Sequence, residues 1–136
     1  MDAALRNLVR QRAGNRCEYC RVHQDDDPFY TFHVDHIIAE QHRGSTVASN
    51  LALSCYRCNL HKGTNLASID PMTGELVALF HPRRNRWPEH FAWDGPRIIG
   101  QTPIGRATVH VLAMNVADYV VFREALIAEG LYPPSD

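Results

Sequence analysis

Four cysteines stand in two pairs of identical spacing, and they are the residues best suited to hold a metal. The pairs are Cys17/Cys20 and Cys55/Cys58, and the chain contains no other cysteine. Two residues between paired cysteines let both thiolates reach one tetrahedral Zn²⁺ at about 2.3 Å. Short disulfides suit a secreted chain, and a thioredoxin-like redox pair needs a βα motif that is absent here. The spacing therefore predicts one structural Zn²⁺ held by all four thiolates.

A four-thiolate zinc site leaves no position for water, so this ion is predicted to hold the fold and not to attack a bond. Chemistry then needs a second centre, and the segment between the cysteine pairs offers one. Asp35 and His36 are adjacent at the end of an apolar stretch, where a carboxylate or an imidazole is costly to bury without a partner. Taken alone, such a pair is more often an ordinary hydrogen-bonded pair than a catalytic one.

Three further polar residues flank the second cysteine pair. Asn50 precedes it, and Asn59 and Lys62 follow it. If residues 55–63 are helical, Cys55, Asn59 and Lys62 share one face because of their three- and four-residue spacing. The zinc would then fix the helix that presents Asn59 and tether the strand that carries the Asp-His pair.

Together, these pieces resemble the HNH, or ββα-metal, nuclease family of the four-cysteine, zinc-stapled type. The resemblance covers about residues 16–66 and rests on Cys17-x-x-Cys20, Val34-Asp35-His36-Ile37-Ile38, Asn50-Leu51 and Cys55-x-x-Cys58-Asn59-x-x-Lys62-Gly63. It implies that His36 is the general base, that Asp35 and Asn59 bind a catalytic divalent ion, and that Asn50 braces the loop. Asn59 and Gly63 stand where some members carry histidines. Oxygen ligands suit Mg²⁺ or Mn²⁺ better than nickel or zinc.

The chemistry can also be reasoned from the reaction. Hydrolysis of a phosphodiester needs a deprotonated water on one side of phosphorus and charge neutralisation on the leaving oxygen opposite. The imidazole of His36 can take the proton, and a cation held by Asp35 and Asn59 can stabilise the leaving oxygen. Neighbouring strand residues point to opposite faces, so both side chains can flank one phosphate only if the strand bends or ends there.

The leading hypothesis is a metal-dependent endonuclease with one catalytic ion and nucleic acid, most directly DNA, as its partner. A zinc-dependent nucleic-acid-binding module without activity is the main rival, and a purely structural or partner-binding zinc domain is the third. Neither rival needs Asp35, His36 and Asn59 together.

Net charge is close to zero, so nucleic acid would have to be held by local basic patches. Arginines crowd the first segment, at Arg6, Arg10, Arg12 and Arg16. Lys62, Arg83, Arg84 and Arg86 are the predicted nucleic-acid contacts. Trp87 beside the later arginines is explained as well by core packing as by base stacking, and salt bridges would equally explain those arginines.

The elements that must position these residues are predicted from periodicity and turn residues. We expect one α+β domain over residues 1–136, with a zinc-stapled ββα core and a C-terminal extension over residues 67–136. The expected elements are a helix at 3–12, a strand at 29–38, a short strand at 51–53, a helix at 55–63, a strand at 76–80, a hairpin of 91–93 with 97–99, and helices at 103–114 and 116–129. A solvated turn at 25–28 is given no role, surface positions are expected for His42 and His61, and core positions for Met114 and Phe122. No apolar run is long enough to span a membrane and no secretory signal is evident, so the cytoplasm is the expected compartment.

Overall fold

The computed structural model describes residues 1–135, which form a mixed α+β structure and confirm that class. The strands are β1 (His33–His36), β2 (Leu51–Ser54), β3 (Ala67–Ile69), β4 (Leu76–Ala78), β5 (Phe91–Asp94) and β6 (Arg97–Gly100). The helices are α1 (Ala3–Arg12), α2 (Tyr56–Lys62), α3 (Trp87–His90), α4 (Pro103–Val111) and α5 (Ala117–Ala128). The strands pair in sequence order as three antiparallel two-stranded sheets.

The first sheet carries the Asp-His pair. In its register Asp35 faces Ala52 and His36 faces Leu51, and β1 ends at His36. The predicted strand over residues 29–38 is therefore too long. Its first residues bond to side chains instead of a neighbouring strand, because Asp27 Oδ1 accepts from the amides of Phe29 and Tyr30 at 2.9 and 3.1 Å.

Helix α2 follows β2 directly, close to the predicted bounds. Cys55 is its N-terminal cap, and its Sγ accepts a hydrogen bond from the amide of Cys58 at 3.4 Å. Gly63 ends the helix with φ at +52°, a value that glycine adopts without steric cost.

Part of the C-terminal extension was not predicted. Strand β3 and helix α3 were missed, whereas the hairpin of β5 and β6 confirms the prediction. Strand β4 ends at Ala78, two residues before the predicted end at Phe80. The buried carboxylate of Asp70 lies in the β3–β4 turn and accepts from Arg106 Nε and Nη2 at 3.0 and 2.8 Å, which ties this turn to α4.

The last two helices are shorter than predicted because the chain turns between them. Ala113 adopts a positive φ of 51° in that turn. Met114 is buried with 1% exposure and Phe122 packs against the core, as expected for both.

A continuous apolar cluster joins the motif segment to the extension. It includes Val9 of α1, Leu53 of β2, Phe80 and Trp87. The Trp87 indole is 4% exposed and donates to the carbonyl of Tyr19 at 2.7 Å. Trp87 therefore belongs to the core and offers no exposed face for base stacking.

The arginines of the first segment are largely used inside the fold. Arg10 donates to the carbonyl of Phe32 at 2.9 Å, and Arg12 donates to Leu51 at 2.8 Å and to Ala48 at 3.0 Å. These bonds tie α1 to the sheet of β1 and β2. Much of the predicted N-terminal basic patch is therefore a set of structural contacts to backbone carbonyls.

Within residues 1–135, none of the helices has both the length and the apolar character needed to cross a bilayer.

Candidate metal centre and active site

The four cysteines meet at one point. Their Sγ atoms lie within 4.8 Å of one another, and all four side chains are buried. A tetrahedral ion with bonds of 2.3 Å separates its sulfur ligands by about 3.8 Å, and Cys20 Sγ lies 3.7 Å from Cys55 Sγ. Amides turn toward the sulfurs, since Cys20 N donates to Cys17 Sγ at 3.5 Å. The donor set and its spacing fit a structural zinc ion.

Hydroxyl groups from the extension close the cluster. Tyr119 of α5 has its hydroxyl 3.1 Å from Cys55 Sγ and 3.8 Å from Cys20 Sγ. The guanidinium groups of Arg57 and Arg123 lie 4.6 and 5.2 Å from the centre of its ring. Tyr132 donates to the carbonyl of Cys20 at 2.7 Å. A hydroxyl that donates to a thiolate stabilises its negative charge.

Asp35 lies at the second centre, against the only lysine of the chain. Lys62 Nζ is 3.5 Å from Asp35 Oδ2 and donates to the carbonyls of His36 and Ile37 at 3.3 and 3.1 Å. The Lys62 side chain is 3% exposed and that of Asp35 is 20% exposed. Burial raises the pKa of Asp35, while Lys62 opposes that rise. The Asp35 carboxylate is thus partly removed from water, and the positive charge of Lys62 compensates for only part of that lost hydration.

His36 is held by two polar side chains of the loop that follows β1. Its Nε2 lies 2.9 Å from Thr46 Oγ1 and 3.3 Å from Glu40 Oε1. The His36 side chain is 19% exposed, whereas that of Glu40 is 71% exposed. The imidazole therefore has a defined orientation at the end of β1 and still borders solvent.

Asn50 bonds to both arms of the same loop. Its Oδ1 accepts from the amide of Ile38 at 2.9 Å, and its Nδ2 donates to the carbonyls of Ile38 and Ser45 at 3.0 and 2.9 Å. Gly44 packs under this amide, where a Cβ would collide with the Ile38 carbonyl oxygen. The loop between His36 and β2 is consequently narrow and tightly bonded.

Asn59 lies on α2 between the zinc ligand Cys58 and Lys62, and its side chain is partly buried. Lys62, on the same helix, reaches Asp35 of β1. Helix α2 therefore connects the cysteine cluster to the Asp-His pair. His61 is exposed, as expected, and His42 Nε2 lies 3.1 Å from the carbonyl of Thr64.

The three predicted arginine contacts have different surroundings. Arg83 forms an ion pair with Glu18, whose other oxygen accepts from the amide of Leu53 at 2.8 Å. Burial lowers the pKa of Arg83 to about 10, with nearby Arg12 as the second cause. Arg84 and Arg86 are exposed.

Several residues with contacts to these centres were missed from the sequence, among them Glu40, Thr46 and Tyr119. Glu40 and Thr46 lie in a polar loop without periodicity, and the only available signal was the four-residue spacing of His36 and Glu40. Tyr119 lies in a helix far along the chain from either cysteine pair, and nothing near it marks a metal neighbour. These contacts depend on the tertiary fold.

Comparisons with known proteins agree with the family resemblance that the sequence motifs indicate. Residues 17–65 match the family model described as HNH endonuclease. The chain is 28% identical over 125 residues to the Septu protein PtuB of Bacillus thuringiensis, and the match covers 90% of this chain and 46% of that protein. The chain thus spans about half the length of this relative. No solved structure matches the chain. Residues 17–65 are therefore similar to HNH endonuclease domains over the segment that holds both cysteine pairs and the Asp-His pair.

Proposed function

We propose that the chain is a metal-dependent endonuclease that hydrolyses phosphodiester bonds of nucleic acid, DNA above all, by a one-metal mechanism. The observation that carries the proposal is the end of β1, where Asp35 and His36 are adjacent, partly exposed and held by separate partners. Both lie within the segment that matches the HNH family. In this proposal β1, β2 and α2 are the strands and helix of a ββα-metal unit.

His36 is the proposed general base. In this proposal the neutral imidazole carries its proton on Nε2, the nitrogen that lies near the acceptor oxygens of Thr46 and Glu40. Nδ1 then keeps its lone pair and takes the proton of the attacking water. Glu40 and Thr46 hold the ring in position, and Glu40 stabilises the charge that the ring gains. General-base catalysis of this kind contributes roughly 10²–10⁴-fold in rate.

Asp35 and Asn59 are the proposed ligands of a catalytic Mg²⁺ or Mn²⁺. When bound, the cation would neutralise the charge that develops on the leaving oxygen. The Asp35 carboxylate suits this role because it is partly buried and its ion-pair partner within residues 1–135 is the single ammonium of Lys62. Both side chains offer oxygen donors, which hard cations prefer.

Asn50 and Lys62 are proposed to position these groups. The three hydrogen bonds of Asn50 hold the loop that carries Glu40 and Thr46. Lys62 holds the end of β1 against α2 through Asp35 and two carbonyls. A contact between Lys62 and phosphate stays a prediction, and it would require the ammonium to exchange one of these acceptors.

Nucleic acid is the proposed partner, with Arg84 and Arg86 as its exposed contacts. Arg83 stays a predicted contact, although its pair with Glu18 would compete. We also propose that residues 1–136 act as one domain, because one apolar cluster joins the motif to the extension. The cytoplasm remains the proposed compartment, since four unpaired cysteines suit a reducing environment.

Nicking of supercoiled plasmid in Mg²⁺ or Mn²⁺ tests the proposal. His36→Ala should lower the nicking rate by roughly 10²–10⁴-fold because the water loses its base. His61→Ala is the matched control, since it removes an exposed histidine of α2 and should nick like the wild type. Zinc content and melting temperature should be unchanged in both variants.

Two results would contradict the proposal. Full nicking by His36→Ala would remove His36 from the mechanism. Salt-dependent DNA binding by the wild type, with no nicking in either metal, would favour the rival zinc module that only binds nucleic acid.

A further inference from the structure

A cavity of about 340 Å³ opens beside the proposed active site. It is lined by Ile37, which directly follows His36, and by Lys62, which bonds to Asp35. Its far wall comes from the extension, at the residues that follow β4. The volume lies within the range of about 300–1,000 Å³ that is usual for small-molecule pockets. The cavity is thus a separate space at the junction of the motif and the extension.

The apolar part of the lining can accept a flat ring. Ile37, Leu79 and Phe80 are at most 7% exposed and belong to the floor of the cavity. Nucleobases that leave a stack are held between apolar or aromatic side chains of this kind. The floor alone would also accept other apolar groups, so the polar rim decides the class of ligand.

The polar rim offers mainly hydrogen-bond donors. His81 Nδ1 accepts from the amides of Arg83 and Arg84, both at 3.2 Å, so the neutral ring carries its proton on Nε2. Burial lowers the pKa of His81, with Arg84 as the second cause, which favours that neutral ring. Asn85 Oδ1 is occupied by the amide of His81 at 2.8 Å, so its Nδ2 group remains to donate.

The charge of the rim also favours a ligand that carries hydrogen-bond acceptors. Arg84 lines the cavity and forms no ion pair within residues 1–135, and Asn65 adds an amide. None of the lining residues in this described part of the chain is acidic. A ligand with a flat ring, several acceptor atoms and a negative charge fits this lining.

We propose that this cavity binds one nucleotide of the nucleic-acid strand to be cut, with its base on the apolar floor and its phosphate at Arg84. The inference rests on the proposed function, which is the reason why the ligand is taken to be a nucleotide within a strand and not a free nucleotide. Binding of a displaced nucleotide beside the cleaved bond would favour substrates whose bases are already unpaired, because extracting a paired base costs free energy.

The test is methyl NMR of the full, zinc-loaded chain without Mg²⁺, so that no strand is cut. The probes are 5′-dAMP and 5′-dTMP and the single-stranded trinucleotides of the same bases. Methyl signals of Ile37, Leu79 and Ile104 should shift with both kinds of probe. The trinucleotide should bind more tightly and should displace the mononucleotide.

Arg84→Gln should weaken trinucleotide binding about tenfold, because it removes a charge-assisted hydrogen bond to phosphate. Arg97→Gln is the matched control, since it removes an exposed arginine of β6 that does not line the cavity, and its effect should stay below about twofold. Ala78→Leu narrows the cavity from β4 and should abolish the shifts while the other methyl signals keep their native positions.

The proposal is overturned if these methyl signals do not move, or if the two arginine variants weaken binding equally. A mononucleotide that the trinucleotide does not displace would also overturn it, since the ligand would then be a free nucleotide. Failure of the endonuclease proposal is distinct. Methyl shifts without plasmid nicking would support nucleotide binding alone, and nicking without methyl shifts would refute the cavity inference alone.

Discussion

The cysteine cluster and the end of β1 are connected by one short helix, yet they are built in opposite ways. The cluster is buried and closed by hydroxyl groups of the extension. Asp35 and His36 remain partly open to solvent, and side chains of the segment that matches the HNH family hold them. The difference shows how a small chain can separate stability from reactivity, because the closed centre fixes a helix whose other residues face an open one.

The largest effect is expected from breaking the closed centre. Cys55→Ser should release the zinc and unfold the domain, because structural zinc supplies about 10–16 kcal/mol of apparent binding free energy against a total stability of about 5–15 kcal/mol. Zinc analysis and circular dichroism measure both changes. A variant with native melting temperature and full zinc content would show that the cluster is not the foundation of the fold.

The next effect is expected at the open centre. Asn59→Ala should leave zinc content and melting temperature close to wild type, because the side chain is only partly buried. The loss of an oxygen ligand should raise the Mg²⁺ or Mn²⁺ concentration for half-maximal nicking by about 10–100-fold. Metal-titrated nicking measures this shift. An unchanged titration curve would remove Asn59 from the metal site.

A smaller effect is expected at Glu40, the acidic residue beside the His36 imidazole. Glu40→Gln keeps the size of the side chain and removes its charge, so the ring loses the carboxylate that favours Nε2–H. Nicking should fall about tenfold, because the ring loses a contact that holds it and stabilises the charge it gains when it takes the proton. Glu124→Gln is the control, because Glu124 is an exposed acid of α5. Equal nicking by both variants would leave Glu40 without a role.

The smallest effect is expected at the rim of the cluster. Tyr119→Phe removes only the hydroxyl that faces Cys55 Sγ. The variant should lose ~1–3 kcal/mol of stability and release zinc faster to a chelator, while staying folded. Tyr30→Phe, at a half-exposed ring stacked on Tyr56, is the control. Unchanged zinc release would make the Tyr119 contact one of packing alone.

The two centres also differ in how far the sequence revealed them. Fixed two-residue spacing was enough to group the four cysteines, and the caps at Cys55 and Gly63 agree with the predicted limits of α2. Contacts made by the fold were not visible. Tyr119 reaches the cluster only because α5 packs on it, and Glu40 and Thr46 reach His36 only because their loop folds back.

The first strand was predicted to be longer than β1 for a related reason. Aromatic and β-branched residues favour strands, but the amides of Phe29 and Tyr30 bond to the carboxylate of Asp27. Such local competition between a side chain and a strand partner has no periodic signal. The same absence of periodicity hid β3, which is only three residues long.

Lys62 gives the molecule a built-in reporter. Since it is the only lysine, an amine-reactive reagent has one target on the chain besides the N-terminal amine. The side chain of that target is 3% exposed and bonded to the carbonyls of His36 and Ile37, so it is acylated only when α2 and the end of β1 move apart. The acylation rate of the peptide that contains Lys62, measured by mass spectrometry, therefore reports how often this junction opens. A bound cation or nucleic-acid strand that holds the junction closed will lower that rate.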